Sequence, residues 1–117
     1  MRSYNFNIKE LAKIEANKSN VKYKMSAIIY DKSGLIAYGH NRKVSNVSRN
    51  TVLKFGVPYK SIHAEIDALL NIHPNDRYRL NRATIFIYRN GDKLAKPCKK
   101  CEHVLNMFNI RRIYWSE

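Results

Sequence analysis

A single α/β domain, built on a mixed sheet of about four strands with helices on its faces, is what this sequence predicts. Three observations carry that prediction. The chain has 117 residues, the length of one compact domain. Hydrophobic residues make up 44% of it, enough for one modest core. Its apolar pattern passes from a helical stretch to two strand-like runs and then alternates helix with strand, giving the order α-β-β-α-β-α-β. Strand–helix–strand alternation implies parallel crossovers with helices packed on the sheet.

The elements follow in turn. Residues 7–18 form an amphipathic helix, with Asn7 as N-cap and Ile8, Leu11, Ala12 and Glu15 on one face. Glu15 interrupts that otherwise apolar stripe. After a turn at Ser19-Asn20, strand-like residues run from Tyr23 to Tyr30 and from Leu35 to Gly39. Asp31-Lys32-Ser33-Gly34 between them is turn chemistry, so the pair reads as a β-hairpin. Residues 42–60 sustain no period and hold Arg42, Lys43, Arg49, Lys54 and Lys60 without one acidic residue. Long loops in small domains tend to be functional, and this one is expected to face a substrate.

Ser61 is placed as the N-cap of a helix reaching Leu70, with Ile62, Ile66, Leu69 and Leu70 apolar and a stop at Pro74-Asn75-Asp76. The run from Arg82 to Tyr88 suits a strand buried on both faces. Asn90-Gly91-Asp92 turns the chain, and a basic loop leads to Pro97. A helix over Cys98 to Phe108 points Val104, Leu105 and Phe108 at a core, and Ile110 to Trp115 forms the last strand. Neither an internal repeat nor a composition shift divides the chain, so 1–117 is expected to be one domain.

Charge and cysteine usage bound the function. The formal net charge of +13 attracts phosphorylated small molecules or polyanions, single-stranded nucleic acid included. Richness in Lys, Asn and Ile, as AT-rich codon usage produces, accounts for the same charge without any ligand. No apolar run approaches a membrane span or a signal sequence. The two cysteines lie three positions apart, which is a metal or redox spacing rather than a disulfide framework. A reducing, cytoplasmic setting is therefore expected. A chain this small buries a modest share of its surface, and bound metal and homo-oligomer formation are expected to support it.

Four residues carry chemistry: His63 and Glu65 at the start of one helix, Cys98 and Cys101 at the start of the next. In open α/β sheets ligands collect beyond the carboxyl ends of the strands, where helix N-termini sit. Two thiolates one helical turn apart and an imidazole from the neighbouring helix make three ligands and leave a fourth position open, the arrangement of catalytic zinc. Zinc makes hydroxide available near neutral pH, and Glu65 stands close enough in sequence to relay its protons. A thioredoxin-like reading of Cys98 and Cys101 leaves His63 and Glu65 without a role.

His63-Ala64-Glu65 followed by Pro97-Cys98-Lys99-Lys100-Cys101 resembles the H-x-E…P-C-x-x-C signature of the cytidine deaminase-like superfamily. The resemblance runs from the first helix to the last strand. It implies a three-layer α/β/α fold, a Zn2+ cofactor and hydrolytic removal of an exocyclic amine from a nucleobase. It further implies substrate contacts by Asn41 to a sugar hydroxyl, by the Ala64 backbone amide to a pyrimidine carbonyl, and by Tyr88 to the base. As residues, Asn41 also reads as a turn position and Tyr88 as core. His40, His73 and His103 are expected to lie outside the ligand set, and no cysteine in 42–60 offers the extra structural zinc site of some deoxycytidylate deaminases. Most members continue into a fifth strand, so against that pattern the fold is C-terminally short, with an exposed edge over 110–115. The substrate expected is a cytosine nucleoside or nucleotide. The alternatives are a polynucleotide deaminase acting on single-stranded DNA cytosine or tRNA adenosine and, more remotely, a zinc-stabilised binding module without catalysis.

Overall fold

The computed structural model describes residues 2–43, 61–91 and 93–117, with side chains from Asn7 onward except that of Ser61. The basic loop expected to face a substrate lies, from 44 to 60, outside the described residues.

Helix α1 spans Arg2–Ala16. It begins five residues before the expected cap, so Asn7 lies inside the helix instead of closing it. Ile8, Ala12, Glu15 and Ala16 form its buried face, while Leu11, expected on that face, is 39% exposed. The Ser26 hydroxyl donates to the Ala12 carbonyl at 2.6 Å and fastens the helix to the sheet. Strands β1 (Met25–Asp31) and β2 (Gly34–His40) make the expected hairpin. At its turn one Asp31 carboxylate oxygen accepts from the amides of Ser33 at 2.8 Å and Gly34 at 3.2 Å. Gly34 has a φ of +128°, a conformation that excludes most side chains.

Two corrections concern the middle of the chain. Strands β3 (Arg42–Lys43) and β4 (Ser61–Ile62) pair as a short antiparallel ribbon, so Ser61 belongs to a strand rather than capping a helix. Helix α2 (Ala64–Leu70) starts two residues later than expected, with His63 in place of Ser61 at the N-cap position. Beyond it, Pro74–Arg82 is a 3-10 helix where only a helix stop was expected. Pro74 sits in its first turn, where a missing N–H costs nothing, and the His73 ring accepts from the Asn75 amide at 3.1 Å. Strand β5 (Thr84–Arg89), helix α3 (Lys99–Met107) and strand β6 (Arg112–Trp115) complete the order read from the sequence.

The sheet order is β2-β1-β5-β6. β1 is antiparallel to both neighbours, and β5 and β6 are parallel with Ile85 opposite Ile113. β2, β5 and β6 therefore point the same way, and their carboxyl ends share one end of the sheet. Ile8, Ala12, Ala16, Ile28, Tyr30 and Tyr88 pack together on the α1 side. Ala27, Ile29, Ile66, Ile85, Ile87 and Leu105 pack on the side of α2 and α3. The result is the three-layer α/β/α arrangement around a mixed four-stranded sheet. Among the described residues, no helix is long and apolar enough to cross a membrane.

Candidate active site

The carboxyl ends of β2 and β5 are where the chain brings its reactive side chains together. α3 returns from the end of β5 to the start of β6, so its first turn lies at that end. Cys98 is its N-cap, and the Cys98 sulfur accepts from the Cys101 amide at 3.5 Å. α2 meets the same end through β2, where Gly39 packs against Asp67 and Ala68.

His63 Nδ1 lies 3.2 Å from Cys101 Sγ and 3.7 Å from Cys98 Sγ. The ligand atoms of His63, Cys98 and Cys101 all fall within 4.8 Å of one another. Zinc–sulfur bonds of about 2.3 Å and zinc–nitrogen bonds of about 2.0 Å give a tetrahedron with edges of roughly 3.5–3.8 Å. The three donors are thus spaced for one zinc ion, and their soft sulfur and imidazole chemistry selects it over magnesium or calcium. Among the described residues this is the single such group. His40, His73 and His103 stay out of it, as expected: His40 pairs with Glu15, His73 caps the 3-10 helix, and His103 is exposed on α3.

Glu65 stands two residues beyond His63 and is 3% exposed. Burial pushes its carboxyl above the usual carboxylate range, while the neighbouring His63 and Cys101 pull the other way. The Cys101 thiol is also pushed far up, first by burial and then by the negative charge of Glu65. Two acids thus compete for protons in one dry corner. A bound dication would favour the charged form of each, because coordination deprotonates a thiol outright and a nearby positive charge stabilises a carboxylate.

The remaining expected contacts fall in different places. Ala64 opens α2, where the first backbone N–H groups have no intrahelical acceptor and can face a ligand. Asn41 follows β2, and its side chain is engaged by the backbone: Oδ1 accepts from Met25 N at 2.9 Å and Nδ2 donates to Tyr23 O at 2.6 Å. Tyr88 is not brought to the site. On β5, Ile85 and Ile87 face α2, α3 and Cys101, whereas Tyr88 packs into the α1-side cluster, 2% exposed.

A supporting network went unread in the sequence. Asp67 on α2 accepts from the His40 amide at 3.1 Å and from Arg42 Nε at 2.8 Å, tying the helix of Glu65 to the end of β2. His40 Nδ1 in turn lies 2.7 Å from Glu15 on α1. A carboxylate within the buried stretch of α2, four residues after His63, was the available signal.

Comparison with known proteins agrees with this geometry. Residues 4–117 match the family described as the cytidine and deoxycytidylate deaminase zinc-binding region. No curated protein matches the chain in sequence. Among solved structures, the chain is similar to dCMP deaminase from the cyanophage S-TIM5 in apo form, with 20% identity and a TM-score of 0.65 over 98% of this chain and 84% of that one. The same phage enzyme in complex with dCMP and dUMP gives 19% identity and a TM-score of 0.66, covering 98% of this chain and 82% of that one. Cytidine deaminase from Burkholderia pseudomallei gives 19% identity and a TM-score of 0.60 over 89% of this chain and 76% of that one. At such identities the structures establish a shared fold, while the match over 4–117 establishes kinship: the chain belongs to the cytidine and deoxycytidylate deaminase zinc-binding family.

Proposed function

We propose that the protein is a zinc-dependent hydrolytic deaminase that converts a cytosine nucleoside or nucleotide to its uracil form with release of ammonia. The observation that carries this reading is the placement of buried Glu65 beside three donors spaced for one zinc ion. Zinc, when bound, supplies a water activated near neutral pH. Glu65 then has the protons to manage: it would accept one from the water as that oxygen bonds to the amino-bearing carbon and pass it to the adjacent ring nitrogen, then take a second from the hydroxyl so added and give it to the amine, which leaves as ammonia as the carbonyl forms. The Ala64 amide would donate to the pyrimidine carbonyl, and Asn41 would offer the remaining donor and acceptor capacity of its amide to the sugar. A purely structural zinc site has no use for a buried carboxylate there.

Cytosine as the base rests on family membership, and a free nucleotide finds support in the phage enzyme of the same fold, recorded with dCMP and dUMP. The test is release of ammonia from cytidine, dCMP, cytosine-containing single-stranded DNA and adenosine-containing RNA. Turnover of cytidine or dCMP alone is the expected result. Turnover of an oligonucleotide alone would replace this reading with a polynucleotide deaminase. Glu65→Ala is expected to keep zinc and lose turnover by a factor of at least about 10²–10⁴; survival of full activity would overturn the mechanism.

A further inference from the structure

The opposite end of the sheet carries a second concave region that deamination does not use. It is formed where the hairpin turn, the end of the 3-10 helix and the starts of β5 and β6 meet. One cavity there, of about 370 Å³, is lined by Lys32, Arg82, Arg111 and Arg112 together with Asp31 and Asn81. A second, of about 400 Å³, adjoins it, sharing Asp31, Lys32, Arg82 and Arg112. The second cavity is apolar on its far wall, with Ile8 and Leu11 from α1 and Tyr30 and Leu35 from the hairpin.

Charge is uncompensated here. All four cations are exposed, and among the described residues none has an ion-pair partner. The one acid in the wall, Asp31, is already spent: Arg79 grips both its oxygens, at 2.9 and 2.7 Å. Four like charges around one hollow repel one another unless an anion sits among them. The adjoining apolar wall, with Leu11 and Leu35 respectively 39% and 40% exposed, asks for a flat, weakly polar group instead. Phosphates beside a base satisfy both halves.

We propose that this end of the sheet binds a segment of single-stranded nucleic acid, with backbone phosphates on Lys32, Arg82, Arg111 and Arg112 and a base against Leu11 and Leu35. A strand is favoured over a lone nucleotide because the cations border two connected troughs and all remain open to solvent, as a backbone track requires. The region stands apart from the zinc-binding end. Strand β5 joins the two and has six residues, which at about 3.3 Å per residue separates them by on the order of 20 Å. The proposal does not depend on what is deaminated.

Fluorescence anisotropy with a labelled oligothymidylate tests it, since thymine has no exocyclic amine and cannot be turned over. Binding is expected to fall steeply with salt. Arg82→Ala, Arg111→Ala and Arg112→Ala should each weaken binding, and each should lower the log–log salt slope by about 0.7. Lys22→Ala, at the other end of the sheet, should do neither, and Glu65→Ala should bind like the parent. Thermal melts confirm that these exposed substitutions leave the fold intact. A Leu11→Ser, Leu35→Ser pair should weaken binding without changing the salt slope, as loss of base stacking would. Equal binding by the three arginine variants would overturn the proposal. So would displacement of the oligonucleotide by thymidine triphosphate at comparable nucleotide concentration, which would mark a free-nucleotide site.

Discussion

Gly39 and Ala68 touch backbone to backbone: a Cβ built on Gly39 would overlap the Ala68 nitrogen and lie 2.7 Å from the carbonyl carbon of Asp67. The end of β2 and the second turn of α2 are held at a separation only glycine allows. Gly39→Ala should therefore force α2 away from the sheet and carry His63 and Glu65 with it. A loss of about 1–3 kcal/mol in urea denaturation is expected from overpacking, together with reduced zinc content. A variant as stable as the parent would show that α2 can move freely.

Metal should contribute to stability as well as to chemistry. Cys98, Cys101 and His63 come from two helices, so an ion among them cross-links α2 and α3 and binds the folded chain far better than the unfolded one. Removing zinc with a chelator should lower the melting temperature by at least about 5 °C. Cys98→Ser should reproduce that shift and abolish stoichiometric zinc by atomic absorption.

Asp31 and Arg79 set the acid limit of the hairpin. The Arg79 guanidinium holds the Asp31 carboxyl below its ordinary value of 3.8, and both side chains are largely buried, 13% exposed for Arg79 and 6% for Asp31. A carboxyl whose folded value is depressed contributes stability above its unfolded value and loses it as pH falls through the folded one. Stability from this pair should be complete above pH 4 or so and drain away below it. Asp31→Asn should cost about 1–3 kcal/mol at neutral pH and flatten that acid dependence, as read from denaturation midpoints across pH 2–6.

Tyr88 separates core from contact. Its ring lies among Ile8, Ala12 and Ile28 on the α1 side. Tyr88→Phe should leave kcat and KM for the proposed cytosine substrate unchanged. Tyr88→Ala should destabilise the protein by about 3–5 kcal/mol. A rise in KM for the phenylalanine variant alone would return Tyr88 to the substrate.

What the sequence disclosed, and what it hid, follows from the range of the forces involved. His63, Cys98 and Cys101 were legible because the spacing of each pair is local and their residue types have few other uses. The element order was legible because the helices carry their own period and turn residues such as Asp31-Lys32-Ser33-Gly34 and Asn90-Gly91 bracket the strands. Tyr88 was not, because β5 is buried on both faces and a continuous apolar run does not say which side a given residue takes. Glu15 looked like a flaw in an apolar stripe, yet His40, 25 residues away, meets it at 2.7 Å. Ser61 carried good capping chemistry, but pairing with Lys43 claimed it for a strand. Contacts between distant residues decided each of these, and no local pattern records them.

The two thiols differ in access: Cys98 is exposed and Cys101 is buried. An ion arriving from solvent would therefore reach Cys98 before Cys101, and the shielded Cys101 sulfur would be the harder of the two for a competing chelator to displace.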